Sequence, residues 1–347
     1  MRSIESSFTP IYKKLFERYK KAILTQKYRP GTQIDSINQM QKRYKVSRET
    51  AKIVLKMLAA DGLIIQKAGK GSFVADLHPR KAIWGVIVPF FSAQIEKLIF
   101  ELNRAAIKEN YRLEHYVSYN NWDEEISLVG NMINQCYQAI IVVPTFDESK
   151  TADFYRHLVS GGTVVTFLGH TMSIAYFPYV IQSYDLGVKR AVEYLCKNSK
   201  GNLAFVKNDI WAGRNMVAEL MEATFVDFVG YESPTRKAII LNNVHEMDRE
   251  FLDQNRIDGI FCCDDMDAIR ATGKLIEWDY TFPDDITLIS YGNTDLARYF
   301  TPQISSIDSH YEEMVEKTVE IINARLNSED VNCCQYVIQP DLIERQT

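Results

Sequence analysis

No apolar run in this chain approaches the roughly 18–20 residues that a helix needs to cross a bilayer. The longest, "IWGVIVPFF" and "AIIVVP", have the length of buried strands. The opening stretch "MRSIESSFTPIYKK" has no apolar centre that would act as a signal sequence, so a cytoplasmic protein with no membrane partner is expected. Cysteine is scarce as well. There are six, two pairs of them adjacent (Cys262-Cys263 and Cys333-Cys334), which is not the spacing of a disulfide framework. Reduced thiols are expected, and Cys262-Cys263 in an apolar run reads as buried strand.

Catalytic signatures are equally thin. "HEMDRE" at His245 has Arg249 where a zinc-protease motif needs its second histidine. Asp264 and Asp265 are adjacent carboxylates leaving a strand. They point different ways, which suits one ligand contact and one helix cap better than a catalytic pair. "GKGS" at Gly69 invites comparison with a phosphate loop, but that motif needs a glycine five residues earlier, where Ile64 stands. A strand-like segment also follows it, not a helix. No catalytic residue, metal or cofactor is assigned, and the chain is not expected to be an enzyme. A sugar-kinase-like enzyme with a DNA-binding head is the rival, and it would need the phosphate loop, metal cluster or nucleophile elbow that is missing.

What is present is divided unevenly. The 347 residues predict two or three domains. Net charge is −5 overall, yet residues 1–75 hold 16 Lys and Arg against 5 Asp and Glu. A small basic head on an acidic body suggests that the head touches nucleic acid and the body does not.

Within the head, Ile11, Leu15, Tyr19, Ala22 and Ile23 recur at helical spacing. "RPG" then breaks the chain. A second helix starts at Ser36 and a third at Ser47, each serine a cap, and Gly62 stops the third. Val54, Leu55 and Leu58 form its buried stripe. Leu63–Gln66 and Ser72–Ala75 read as two strands joined by Gly69-Lys70-Gly71, whose glycines permit positive φ. Three helices and a hairpin predict a winged helix-turn-helix. Arg48, Thr50 and Lys52 are expected at base edges and phosphates, Lys70 at the wing tip on the backbone or minor groove, and Ser36, Ser47 and Lys67 beside them.

"PIYKKLFERYKKAIL", "RPGTQI", "VSRETAKIVLKML", "DGLI" and "GKGSFV" together resemble the GntR-type DNA-binding domain from Pro10 to Ala75. Two departures stand out. Ile34-Asp35-Ser36-Ile37-Asn38 replaces the family's Leu-Pro-Ser-Glu, and Ala51-Lys52 replaces Val-Arg, so base preference need not follow relatives.

Beyond "DLHPRKA" short apolar strands alternate with helices in two series of similar size, which predicts two doubly wound lobes with a cleft at the strand ends. "GVIVPFFSAQIEKLIFELNRAAIKENYRL", "DLGVKRAVEYL", "DGIFCCDDMDAIRA" and "FPDDITLISYGNTDLARYFTPQISSID" resemble the effector-binding core of LacI-type sugar repressors, a core similar to periplasmic sugar-binding proteins. The fold class expected is α/β, a winged helix-turn-helix followed by a two-lobed periplasmic-binding-protein-like domain of parallel sheets. The expected boundaries are 1–75 for the head, 76–82 for the joint and 83–347 for the body. Lobe 1 would take 83–178 and 305–335, and lobe 2 would take 179–304 and 336–347.

The resemblance implies a small carbohydrate between the lobes, held by Phe90, Phe91, Ser92, His170, Trp211, Arg214, Asp264 and Asn293. It also implies a homodimer on pseudo-palindromic operator DNA. Gly292-Asn293 replaces the acidic pair of many relatives, so a less polar sugar, a pentose or 6-deoxyhexose, is expected.

Overall fold

The computed structural model describes residues 10–24, 27–67, 69–75, 81–147, 151–158, 160, 162–170, 177–208, 215–327 and 334–347. Two compact units emerge, residues 1–80 and 81–347.

The first unit holds α1 (Ile11–Leu24), α2 (Ile37–Tyr44), α3 (Arg48–Ala60) and the antiparallel pair β1 (Ile64–Lys67) and β2 (Gly71–Val74). Leu15, Phe16, Tyr19 and Ile23 of α1 pack with Met40, Ala51, Val54, Leu55 and Leu58 in one core. Ile11, expected on that stripe, is 55% exposed, and its neighbour Tyr12 packs against the core from the same turn. The Tyr19 hydroxyl donates to Asp35 at 2.5 Å, and Arg43 pairs with the same carboxylate at 2.6 Å. Asp35, one of the departures from the family pattern, thus ties α1 to α2. The segment around Gln33 adds a third edge to the hairpin, with Ile34 N–H donating to Ser72 O and Val74 N–H to Thr32 O.

The second unit runs as alternating strands and helices. It begins with β3 (Lys81–Val88), α4 (Ala93–Lys108), β4 (Arg112–Val117), α5 (Trp122–Asn134) and β5 (Tyr137–Val142). Next come α6 (Thr151–Arg156), β6 (Val164–Gly169), β7 (Tyr179–Gln182), α7 (Tyr184–Asn198) and β8 (Asn202–Val206). The chain continues through α8 (Met216–Glu232), β9 (Ala238–Leu241), α9 (Arg249–Asn255), β10 (Ile257–Cys262) and α10 (Asp265–Glu277). It closes with β11 (Thr287–Gly292), α11 (Asp295–Tyr299), β12 (Ser305–Asp308), α12 (Tyr311–Leu326), β13 (Gln335–Ile338) and β14 (Asp341–Ile343).

These strands form two sheets among the described residues, ordered β13-β7-β6-β5-β3-β4 and β14-β12-β11-β10-β8-β9. Every pairing is parallel except β12 with β14. Strands such as β5 and β11 are buried nearly throughout, as parallel strands covered on both faces must be.

The lobe boundaries differ from those expected at all three crossings. Residues 179–182 hydrogen-bond into the first sheet, 305–308 into the second, and 335–338 into the first. Two expected breaks fell just before β7 and β12 and the third inside β13, whereas the chain adds each of these strands to the sheet it is already building and crosses only after it. The joint expected at 76–82 lies mainly outside the described residues, and β3 already begins at Lys81.

Candidate functional site

In the head, α3 begins where the Ser47 hydroxyl accepts the Thr50 N–H at 3.1 Å and shares a 2.9 Å hydrogen bond with the Thr50 hydroxyl. Ser36 closes a reciprocal cap with Gln39. Both serines are therefore spent on helix starts. Arg48 is exposed, and Lys52 is exposed but paired with Glu49 at 2.9 Å. That pairing holds the Glu49 carboxyl below its ordinary range. Thr50 is half-buried with its hydroxyl engaged, so it does not stand with Arg48 and Lys52 on the open face.

At the hairpin tip Lys70 is exposed, and its carbonyl accepts the Gln33 amide at 2.9 Å. Gly71 has φ +113°, which strains any residue with a side chain, and a Cβ there would lie 2.5 Å from Gln33 Nε2 and displace that amide. Lys67 carries its ammonium 5.2 Å from the centre of the Phe73 ring.

In the body, a cleft of about 950 Å³ of empty space, open mouth included, lies at the carboxyl ends of the strands of both sheets. Phe90, Ser92, Phe146, His170 and Gln182 reach it from the first sheet's loops, and Asn208, Cys263, Asp264 and Tyr291 from the second's. Tyr311 and Met314 of α12 complete it.

One wall is aromatic. Phe90 and Phe146 rings are 5.7 Å apart, and Phe146 stacks on His170 at 5.0 Å with an 18° tilt. The Nε2 of His170 lies 2.9 Å from the Pro144 carbonyl. A carbonyl only accepts, so Nε2 carries the proton. The loop bearing Phe146 is pinned from beneath: Phe146 N–H donates to Asn120 Oδ1 at 2.9 Å, and Thr145 N–H to Glu125 Oε2 at 2.7 Å. Glu125 is fully buried and also accepts the Tyr155 hydroxyl at 2.8 Å. Burial pushes its carboxyl up to about 7, against the pull of those donors.

The rest of the lining mixes apolar side chains, among them Ile95, Leu98, Val143, Val217 and Met221, with polar ones that are largely neutral. Gln182 is 8% exposed, with its amide nitrogen 3.4 Å from Met314 Sδ. Its Oε1 is buried without a hydrogen-bond partner among the described residues, as is the Tyr291 hydroxyl. Burial raises the hydroxyl pKa of Tyr291 and Tyr311 far above the ordinary value, so both keep their protons. Asp264 is the carboxylate of the lining, and no described lysine or arginine joins it. Its Oδ1 accepts the Asp267 N–H at 2.8 Å, capping α10, and its Oδ2 accepts the Asn208 amide at 2.9 Å. Cys263, Asp264 and Asp267 have donor atoms within 4.8 Å of one another, as a cation site would. The Asp264 oxygens already serve the cap and Asn208, and Asp267 accepts Arg270 at 2.9 Å.

Of the residues expected at the ligand, Phe90, Ser92, His170 and Asp264 line the cleft. Ser92 also caps α4, accepting the Ile95 N–H at 3.3 Å. Phe91 does not line it. It is 51% exposed and meets His115 edge-on at 5.8 Å, because neighbouring side chains leaving an extended strand diverge. Asn293 is turned away too. Its φ of +50° aims the side chain at Asp308, 2.9 Å from Nδ2, and Arg345 donates to its Oδ1. Trp211 and Arg214 lie outside the described residues; in sequence they fall between the lining residues Asn208 and Asn215. Gln94, Phe146, Gln182, Asn208, Tyr291 and Tyr311 were not anticipated. Most sit at or within four residues of a strand's carboxyl end, which is the signal that would have found them.

Comparison with known proteins adds three findings. Residues 11–74 match the bacterial regulatory proteins of the gntR family, and residues 206–347 match a periplasmic binding protein-like domain. An arabinose metabolism transcriptional repressor of Halalkalibacterium halodurans is 22% identical over 326 residues, covering 86% of this chain and 85% of that protein. Two solved structures share the fold of the body. One is a periplasmic binding protein/LacI transcriptional regulator of Alkaliphilus metalliredigens complexed with D-xylulofuranose (TM-score 0.65, 16% identity, 77% of this chain, 99% of that one). The other is a LacI family regulator of Enterococcus faecium with bound ribose (TM-score 0.65, 17% identity, 76% and 97%).

Proposed function

From a chain that joins a bacterial regulatory domain of the gntR family to a periplasmic binding protein-like domain, we propose a transcription regulator of a sugar-utilisation operon that acts as a repressor. A small carbohydrate bound in the cleft controls operator binding by the head. The observation that carries this reading is the cleft lining. An aromatic wall of Phe90, Phe146 and His170 and several aliphatic side chains surround a few hydrogen-bonding groups, of which Asp264 alone is an acid and none is a described lysine or arginine. Such a surface suits an uncharged polyhydroxylated ligand, whose C–H faces pack on rings while its hydroxyls meet amides and phenols.

The apolar share of the lining and its lack of described cations favour a less polar sugar, a pentose or 6-deoxyhexose such as L-arabinose or L-fucose. Support comes from the arabinose repressor among the relatives and from the five-carbon sugars bound in two neighbours of the fold. Gln182 Oε1 on one lobe and the Tyr291 hydroxyl on the other are among the cleft's buried polar atoms without a hydrogen-bond partner among the described residues, and a sugar hydroxyl would satisfy each at little reorganisation cost.

The chain acts as a homodimer on a pseudo-palindromic operator, with Arg48, Lys52 and Lys70 on the DNA. Sugar draws the lobes together and opposes DNA binding by a reciprocal coupling of ~1–3 kcal/mol. A thermal-shift panel of L-arabinose, D-xylose, D-ribose, L-fucose, L-rhamnose and D-galactose tests the cleft. A sugar at a hundred times its dissociation constant adds ~2.7 kcal/mol to the folded state. A gel-shift titration with the responding sugar tests the sign, and tighter operator binding on addition would overturn repression by release.

A further inference from the structure

The open face of α3 carries more than cations. At about 100° per residue, the exposed arc over residues 48–56 runs through Arg48, Lys52, Lys56, Glu49 and Ile53. Ala51, Val54 and Leu55 point the other way, into the core. Thr50 falls about 60° beyond Ile53 by the same spacing, half-buried and held by Ser47. Three of the five exposed residues need no explanation beside a phosphate backbone. Glu49 and Ile53 do.

A carboxylate brought against a polyanion is repelled unless it gains a donor. In the free protein its donor is Lys52, at 2.9 Å. That ammonium is also a side chain that phosphates would attract. Ile53 is 41% exposed between charged neighbours, where burial in this fold contributes little to it.

Resting on the DNA reading above, we propose that Glu49 and Ile53 are the pair that reads base sequence. Glu49 accepts from the N4 amino group of a cytosine, and Ile53 packs on the 5-methyl group of a thymine. Both groups are displayed in the major groove, where cytosine offers a donor and thymine an apolar methyl. The two side chains are four residues apart, so their Cβ atoms lie ~5–6 Å from each other. Bases rise ~3.4 Å per step, and each half-site therefore holds its cytosine and thymine one or two steps apart. Lys52 leaves Glu49 for a phosphate on binding, and Arg48 and Lys56 hold the register from either side.

The test is in-vitro selection of random duplexes on the full-length chain, for wild type, Glu49→Gln and Ile53→Ala. Wild type is expected to enrich a half-site with a fixed cytosine. Glu49→Gln should move the preference at that position alone from cytosine to adenine, since glutamine pairs with adenine's N6 and N7. Discrimination there should change about tenfold or more, with other positions unaltered. Replacing the half-site's thymine one or two steps away by deoxyuridine removes only the methyl group. It should weaken wild type several-fold and leave Ile53→Ala unchanged. Both positions are exposed, so unchanged melting curves will show that the variants remain folded. Retention of the wild-type sequence by Glu49→Gln would reduce Glu49 to a partner of Lys52 and overturn the inference. A wild-type chain that enriched no sequence would overturn the DNA reading itself, and this inference with it.

Discussion

The side-chain amide of Gln94 donates to the backbone carbonyl of Tyr291 at 2.9 Å, joining the first helix of one lobe to a central strand of the other. One helical turn on, Lys97 donates to the carbonyl of Asn293 at 3.2 Å. The approach is close enough that a Cβ on Gly292, whose φ is +131°, would stand 2.8 Å from Gln94 Nε2. Asn293 thus contributes its backbone to the contact between lobes, although its side chain has left the cleft.

Removing both donors with Gln94→Ala and Lys97→Met should therefore cost about 3 kcal/mol in urea unfolding, the sum of one neutral and one charged hydrogen bond. A loss within error of zero would mean that solvent replaces these links at no cost.

Asp265 should prove the most sensitive carboxylate of the second lobe. It is 1% exposed and accepts the Thr294 N–H at 2.6 Å, the Thr294 hydroxyl at 2.7 Å, the Ser306 hydroxyl at 2.9 Å and the Ser290 hydroxyl. Asp265→Ala leaves these donors facing a void and should cost about 3 kcal/mol or more by denaturant titration. Asp265→Asn should fall between, since its amide oxygen alone accepts.

Glu125 predicts a pH dependence. Its carboxyl moves from an ordinary 4.5 to about 7 in the folded protein. Between those values the folded state keeps a proton that the unfolded chain releases. Its contribution is full below pH 4.5 and is lost as pH rises through 7. Wild type should lose up to ~3 kcal/mol relative to Glu125→Gln between pH 4.5 and 8, at 1.36 kcal/mol per unit. Parallel stability curves for the two proteins would contradict the shift.

Lys70 is expected to touch phosphate and not bases. Lys70→Ala should weaken binding to specific and unrelated duplexes alike and lower the salt slope of log K by about 1. A selective loss on the operator would move Lys70 to a base edge. Fluorescence anisotropy over a salt series measures both.

The caps and the alternation of strands and helices were legible in the sequence because they depend on neighbours along the chain. Ser36 and Ser47 announce their helices, and Phe90, His170 and Asp264 each follow a strand that any reading would find. Side-chain direction after a strand was not legible. It turns on one φ, as at Asn293, or on which of two neighbours faces in, as at Phe90 and Phe91. Met314 was invisible for another reason. It reaches the cleft from within α12, more than a hundred residues distant from His170 and Phe146, and nothing local marks that approach.

The three crossings between lobes also bear on how the chain is made. A ribosome delivers the body from β3 onward, so β4, β5, β6 and β7 emerge together. The edge partner of β7 is β13, at residues 335–338, and it follows the whole of β8 to β12. The first lobe therefore waits for the second to be synthesised before its sheet is complete. Until then β7 keeps an open, hydrogen-bonding edge toward solvent and toward other nascent chains. Premature termination anywhere before residue 335 damages the earlier lobe as well as the later one. The two halves of the cleft are completed together, so a partly made chain does not present a finished cleft.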